Sequence, residues 1–137
     1  MHDYGHVTWQ PPGVTDASLG WQIVNWLEGG PEWNVFQRLL STTGEIDRED
    51  LRLLYPALIR IPIEFITECA VAPHPTFGPT LVVRYTYPEE GPCGIVLYAV
   101  SSTGENDLHM ISYEGQQPSF SRYLNEAAAS MSSIRRV

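Results

Sequence analysis

The chain has 137 residues, of which 43% are hydrophobic and only 18% charged, and its formal net charge is -8. That length suits one domain, and the apolar fraction excludes a chain disordered throughout. No apolar run reaches the roughly 18 residues that a membrane-spanning helix needs, and an acidic chain is a poor partner for nucleic acid or an anionic membrane.

Residues 1–15 read as an extended N-terminal arm, because Pro11, Pro12 and Gly13 stop regular structure, with Val7 and Trp9 docking it on the body. A single α+β domain is expected over residues 16–137. Its first helix is predicted over 16–28: Asp16 can cap it, Leu19, Ile23, Trp26 and Leu27 fall at helical steps, and Gly29 ends it. Gly20 and Trp21 fit this pattern least well, Trp21 standing about 100° from the middle of the stripe. A second helix is predicted over 31–43, with Pro31 at the favourable first position and Trp33, Phe36, Leu39 and Leu40 on its apolar face. The short Gly29-Gly30-Pro31 joint predicts an antiparallel helical hairpin. A third, short helix is expected from Asp47, capped in a capping-box variant with Asp50 and burying Leu51, Leu54, Tyr55 and Leu58.

From Ile61 the period changes. Ile61, Ile63, Phe65, Thr67, Cys69 and Val71 alternate with the residues between them, which reads as a strand; Ile63, Ile66, Thr67 and Ala70 also share a helical face, so a helix is the alternative. Residues 72–79, with three prolines, read as a loop. Strand-like runs follow at 80–87, 94–102 and 108–113, separated by turn residues, the pattern of a meander. A last helix is expected over 120–133, capped by Ser119 and turning Tyr123, Leu124, Ala127 and Met131 inward. The predicted fold is α+β: N-terminal helices followed by a four-stranded antiparallel meander and a C-terminal helix, with one face of the sheet covered.

All eight basic residues are arginine. Without lysine the chain cannot carry Schiff-base chemistry, a Ser-x-x-Lys pair or a Walker phosphate loop, and no glycine-rich dinucleotide loop is present. No cofactor is expected. His2, His6, His74 and His109 are scattered and read as incidental surface residues, so no metal site is expected either. Cys69 and Cys93 lack metal or redox spacing and are expected to be free buried thiols, with Cys93, in a Gly-Pro-Cys-Gly turn, the more exposed. Residues 1–10 lack the basic stretch and apolar block of a secretion signal, so a cytoplasmic location is expected. Tyr85, Tyr87, Tyr98 and Tyr113 are spaced for cross-strand aromatic pairs.

Two stretches, Trp33 to Ile46 (W-x-x-F-x-x-L-L-x-x-T-G-E-I) and Ser119 to Ala127 with its S-F-S-R-Y-L core, resemble the SUKH group of immunity-type domains. The resemblance covers about a fifth of the chain, and the Gly-Gly pair expected after Leu-Leu is absent. It implies an acidic α+β domain with a closing helix. Beside it, the charge excess and the lack of a catalytic signature suggest a non-enzymatic bacterial or phage protein. Such a protein is an inhibitor or immunity-type module that occludes a basic site on a partner protein. The expected partner contacts are Asp47, Glu49, Asp50, Glu89, Glu90, Glu105 and Asp107. The alternative is a small-molecule-binding domain or metal-independent enzyme with a pocket between helices and sheet, its candidates Glu64, Glu68, Tyr98 and His109.

Overall fold

Apolar and polar side chains alternate through most of this chain, and a strand places successive side chains on opposite faces, so one antiparallel sheet organises the molecule. The computed structural model describes residues 3–9, 17–25, 31–42, 44–55, 58–100 and 107–133. The strands are β1 (Asp3–Trp9), β2 (Ala17–Asn25), β3 (Gly44–Glu45), β4 (Ile66–His74), β5 (Gly78–Thr86), β6 (Cys93–Val100) and β7 (Asp107–Gly115). They form a single sheet in the order β1-β2-β7-β6-β5-β4-β3, six strands of full length and the two-residue β3 at one edge. The helices are α1 (Pro31–Leu40), α2 (Ser119–Arg122) and α3 (Leu124–Ser133), with 3₁₀ turns at Arg48–Leu54 and Ile63–Phe65. The α+β class holds. Among the described residues no helix is long and apolar enough to cross a membrane.

The N-terminal plan differs from expectation. Residues 17–25 are β2 rather than the helix expected over 16–28, and the helical hairpin goes with it. Ala17, Leu19 and Trp21 alternate with Ser18, Gly20 and Gln22, so the Trp21 that fitted a helix poorly fits a strand well. β2 pairs with β1 on one side and with β7 along its whole length on the other. Trp26, Leu27 and residues 10–16 lie outside the described residues.

α1 follows its expected face, burying Trp33, Phe36, Leu39 and Leu40. The Ser41 and Thr42 hydroxyls donate back to the carbonyls of Arg38 and Leu39, each at 2.6 Å, satisfying acceptors at its last turn. The helix expected from Asp47 is a 3₁₀ turn, capped by the Asp47 carboxylate accepting from the Glu49 amide at 3.0 Å.

The run expected as a strand from Ile61 begins only at Ile66, after the 3₁₀ turn over 63–65. A register shift between Ile66 and Glu68 moves the alternation by one residue, so Ile66, expected on the opposite face, lies with Cys69 and Val71, while Thr67 is exposed. The expected loop over 72–79 is instead the end of β4, a tight turn at 75–77 and the start of β5. Its prolines are tolerated because Pro73 and Pro79 oppose each other beyond the neighbouring ladders: β3 reaches only Val71, and β6 only Leu81. Gly78 closes this turn at φ +71°, a backbone that glycine adopts without strain. The C-terminal helix is broken at Tyr123, and Ser119 is its first residue rather than its cap.

Helices cover both faces of the sheet, not one, and they are offset. On the first face α1 and the segment 48–66 bury Leu81, Val83, Val96 and Tyr98 of β5 and β6. On the second, Phe120, Ala127 and Met131 of α2 and α3 bury Leu19, Ile111 and Tyr113 of β2 and β7. The Tyr113 hydroxyl donates to the Phe120 carbonyl at 2.8 Å, fixing α2 to the sheet. Cys69 and Cys93 are both free and buried, as expected, with Cys93 slightly the more exposed. They lie on opposite faces, in separate cores.

Candidate functional site

The offset of the helices leaves the first face open over β2 and β7. A cleft of about 580 Å³ occupies that quadrant. Its floor is Gly20 and Gln22 of β2, Met110, Ser112 and Glu114 of β7, and Val96 and Tyr98 of β6; Tyr85 and Tyr87 close one end, and Leu58, Arg60 and Ile61 form the wall beside α1's layer. A volume of that order suits a small organic ligand.

The polar groups of the cleft differ in how they are held. The Tyr85 hydroxyl donates to the Glu114 carboxylate. Burial and this hydrogen bond push the Tyr85 phenol well above its ordinary range, because the carboxylate accepts only from the protonated form. Tyr85 lies directly over Gly94: a Cβ at that position would come within 2.1 Å of the ring, so only glycine permits this packing. Tyr98 is 3% exposed and its phenol is also pushed up by burial, yet its hydroxyl makes no hydrogen bond to any described residue. Arg60 is exposed and has no carboxylate within ion-pair distance among the described residues.

A second region is acidic. Asp47, Glu49 and Asp50 are exposed at the start of the 3₁₀ turn. Arg48 donates to the carbonyls of Glu64 (3.4 Å) and Ile66 (3.0 Å), tying that turn to the head of β4. Phe65 packs on Tyr87 with ring centroids 5.1 Å apart, which brings exposed Glu64 beside the β5–β6 turn. At its tip the Pro88 carbonyl accepts from the Gly91 amide at 3.1 Å, and Glu89 and Glu90 both adopt left-handed backbone, φ 59° and 61°. Those signs match a type I′ turn, which ordinarily takes Asn-Gly. Asp47, Glu49, Asp50 and Glu64 are thus exposed on the segment that precedes β4, and Glu89 and Glu90 are exposed at the β5–β6 tip. The Arg52 guanidinium hydrogen-bonds Glu49 and holds its carboxyl below the usual range. Glu105 lies outside the described residues, and Asp107 opens β7 with its side chain undescribed.

The four residues considered for the alternative pocket do not meet. Tyr98 faces the open cleft, Glu64 belongs to the acidic region, and Glu68 is exposed on the second face, where it pairs loosely with Arg84 at 3.9 Å. His109 points to the second face: it is fully buried and its Nδ1 accepts from Trp21 Nε1 at 3.2 Å, with Phe77 packed on it at 4.4 Å. His74 is buried too, accepting from the Thr76 amide and bonding the Met131 carbonyl at 2.8 Å, so neither is an incidental surface histidine. Among the described residues no cluster of three or more His, Cys, Asp or Glu is arranged to hold a metal.

Arg60, Glu114, Gln22 and Ser112 were not candidates from sequence. Their signal is a one-face change along a strand: in β7 Leu108 and Met110 give way to Ser112 and Glu114 while His109, Ile111 and Tyr113 remain buried. No protein-family model matches the chain, and no curated protein or solved structure matches it either.

Proposed function

We propose that this protein is a non-catalytic binding module whose exposed carboxylates occlude a basic site on a partner protein. The supporting observation is the Glu89-Glu90 tip. Two adjacent carboxylates occupy backbone that costs a non-glycine residue about 1–2 kcal/mol each, where Asn-Gly would be free of that cost. Retaining them argues for a role outside the fold. They add to the exposed carboxylates Asp47, Glu49, Asp50 and Glu64, and such a charge excess speeds encounter with a cationic surface and disfavours nucleic acid.

The test compares affinity capture from lysate by the native chain and by a fourfold variant, Asp47→Asn, Asp50→Asn, Glu89→Gln and Glu90→Gln; Asn keeps the cap at 47. A basic protein held by the native chain, released as salt rises and absent from the variant is the expected result. Equal capture by the variant, or a complex indifferent to salt, overturns the proposal.

A further inference from the structure

The open cleft over β2 and β7 carries an inference independent of the acidic region, because it uses none of that region's carboxylates. In a chain this acidic, Arg60 would be expected to find a carboxylate; instead it stands at the cleft wall with none in ion-pair reach among the described residues. Tyr98 lines the same cleft with its ring buried, and its hydroxyl makes no hydrogen bond to any described residue, which leaves it available to a ligand. Glu114 offers an opposite charge, one oxygen engaged by Tyr85 and the other open to a donor. Between these polar points Leu58, Ile61, Val96 and Met110 supply apolar surface, and Tyr85 and Tyr87 supply ring edges and faces.

From this arrangement we infer that the cleft binds a small zwitterion with an apolar body, of the dipeptide class. Arg60 takes the carboxylate, Glu114 takes the ammonium group and the Tyr98 hydroxyl hydrogen-bonds the peptide link. Charge complementarity selects this class. A simple anion would leave Glu114 facing the ligand unpaired, and a simple cation would do the same to Arg60. The roughly 580 Å³ available exceeds what one amino acid fills and suits two residues with apolar side chains. No covalent step is involved.

The test is a calorimetric titration of the full chain with Leu-Phe, N-acetyl-Leu-Phe and Leu-Phe amide, which share one body and differ by one charge each. Amide shifts are followed at Val96, Met110 and Ser112. Leu-Phe is expected to bind with shifts at those strands, and each capped form to bind roughly tenfold more weakly, the usual scale for one charged hydrogen bond. Arg60→Gln should weaken Leu-Phe about as much as amidation does and leave Leu-Phe amide unaffected. Tyr98→Phe should weaken all three ligands. Equal binding of the three peptides, shifts that ignore Arg60→Gln, or no shift at millimolar peptide overturns the inference. Arg60 is exposed and Phe replaces Tyr98 in shape, so both variants keep the fold.

Discussion

The covered and open halves of the sheet's first face are made by the same strands and by opposite choices of side chain. Where α1 lies over β5, the inward residues are Leu81 and Val83, and Val96 meets them from β6. Where no described helix lies, β2 and β7 present Ser18, Gly20, Gln22, Ser112 and Glu114 on that face. The second face repeats the contrast diagonally: α2 and α3 cover Leu19, Ile111 and Tyr113, while Ala70, Ala72, Val82 and Arg84 of β4 and β5 remain partly exposed. A strand in this sheet therefore records, residue by residue, which face has a helix over it. Stability should reside in the covered quadrants, and binding in the open ones.

The sharpest way to break that division is to cut each half. Phe36 of α1 is completely buried against β5's layer. Phe36→Ala should cost about 3–5 kcal/mol in urea unfolding, the range for truncating a buried aromatic residue. Ser112→Ala on the open floor should change stability by less than about 0.5 kcal/mol. Comparable losses at the two positions would erase the distinction.

Gly94 tests the seam between the halves, since Tyr85 crosses it to reach Glu114. Gly94→Ala places a methyl against the Tyr85 ring, and overpacking of that kind costs about 1–3 kcal/mol. The same change in a Tyr85→Ala background should cost much less, because the three atoms nearest the added methyl all belong to Tyr85. A double-mutant cycle measures the difference. Additive losses would mean that the backbone, not Tyr85, resists the side chain.

The acidic tip offers the opposite sign. Replacing Glu89-Glu90 by Asn-Gly relieves two left-handed residues and should raise stability by about 1 kcal/mol or more, seen as a higher Tm, while weakening capture of a basic partner. A variant no more stable than the native chain would show that the turn holds no strain and would remove the support it gives the proposed function.

Legibility followed the length of the pattern. α1, β5, β6 and β7 were plain in the sequence because each runs through a full repeat of its period with turn chemistry at both ends. β2 was misread as a helix because Leu19 and Ile23 satisfy both periods, and the choice fell to Trp26 and Leu27 beyond the strand's end. The bulge at Ile66–Glu68 hid the true start of β4, since one inserted residue reverses every later side chain. The acidic residues were readable one by one, but the contacts around them were not: Phe65, next to Glu64, packs on Tyr87, and Arg48 bonds the backbone at the head of β4. The cleft was invisible for a different reason. It is defined by where none of the described helices lies, and the tyrosines that line it look the same as tyrosines that merely pair across strands.

Those tyrosines give the smallest and most discriminating expectation. Tyr98 sits at the boundary of the two halves, with its ring in the core and its hydroxyl lining the cleft. Its phenol is pushed above the ordinary value of about 10 by burial. A raised folded value means that the unfolded chain releases its proton first. The stability linked to that proton is therefore complete below about pH 10 and is lost as pH rises through that value, at up to about 1.4 kcal/mol per pH unit for one group. Tyr98→Phe cannot ionise, so the variant should lose less stability than the native chain between pH 9 and pH 11, as urea unfolding at the two pH values will show. At pH 8 the substitution should be close to neutral, because the hydroxyl makes no hydrogen bond to any described residue and its removal breaks none. A clear loss at pH 8 would mean that the hydroxyl serves the fold, and Tyr98 would then belong to the covered half rather than to the ligand.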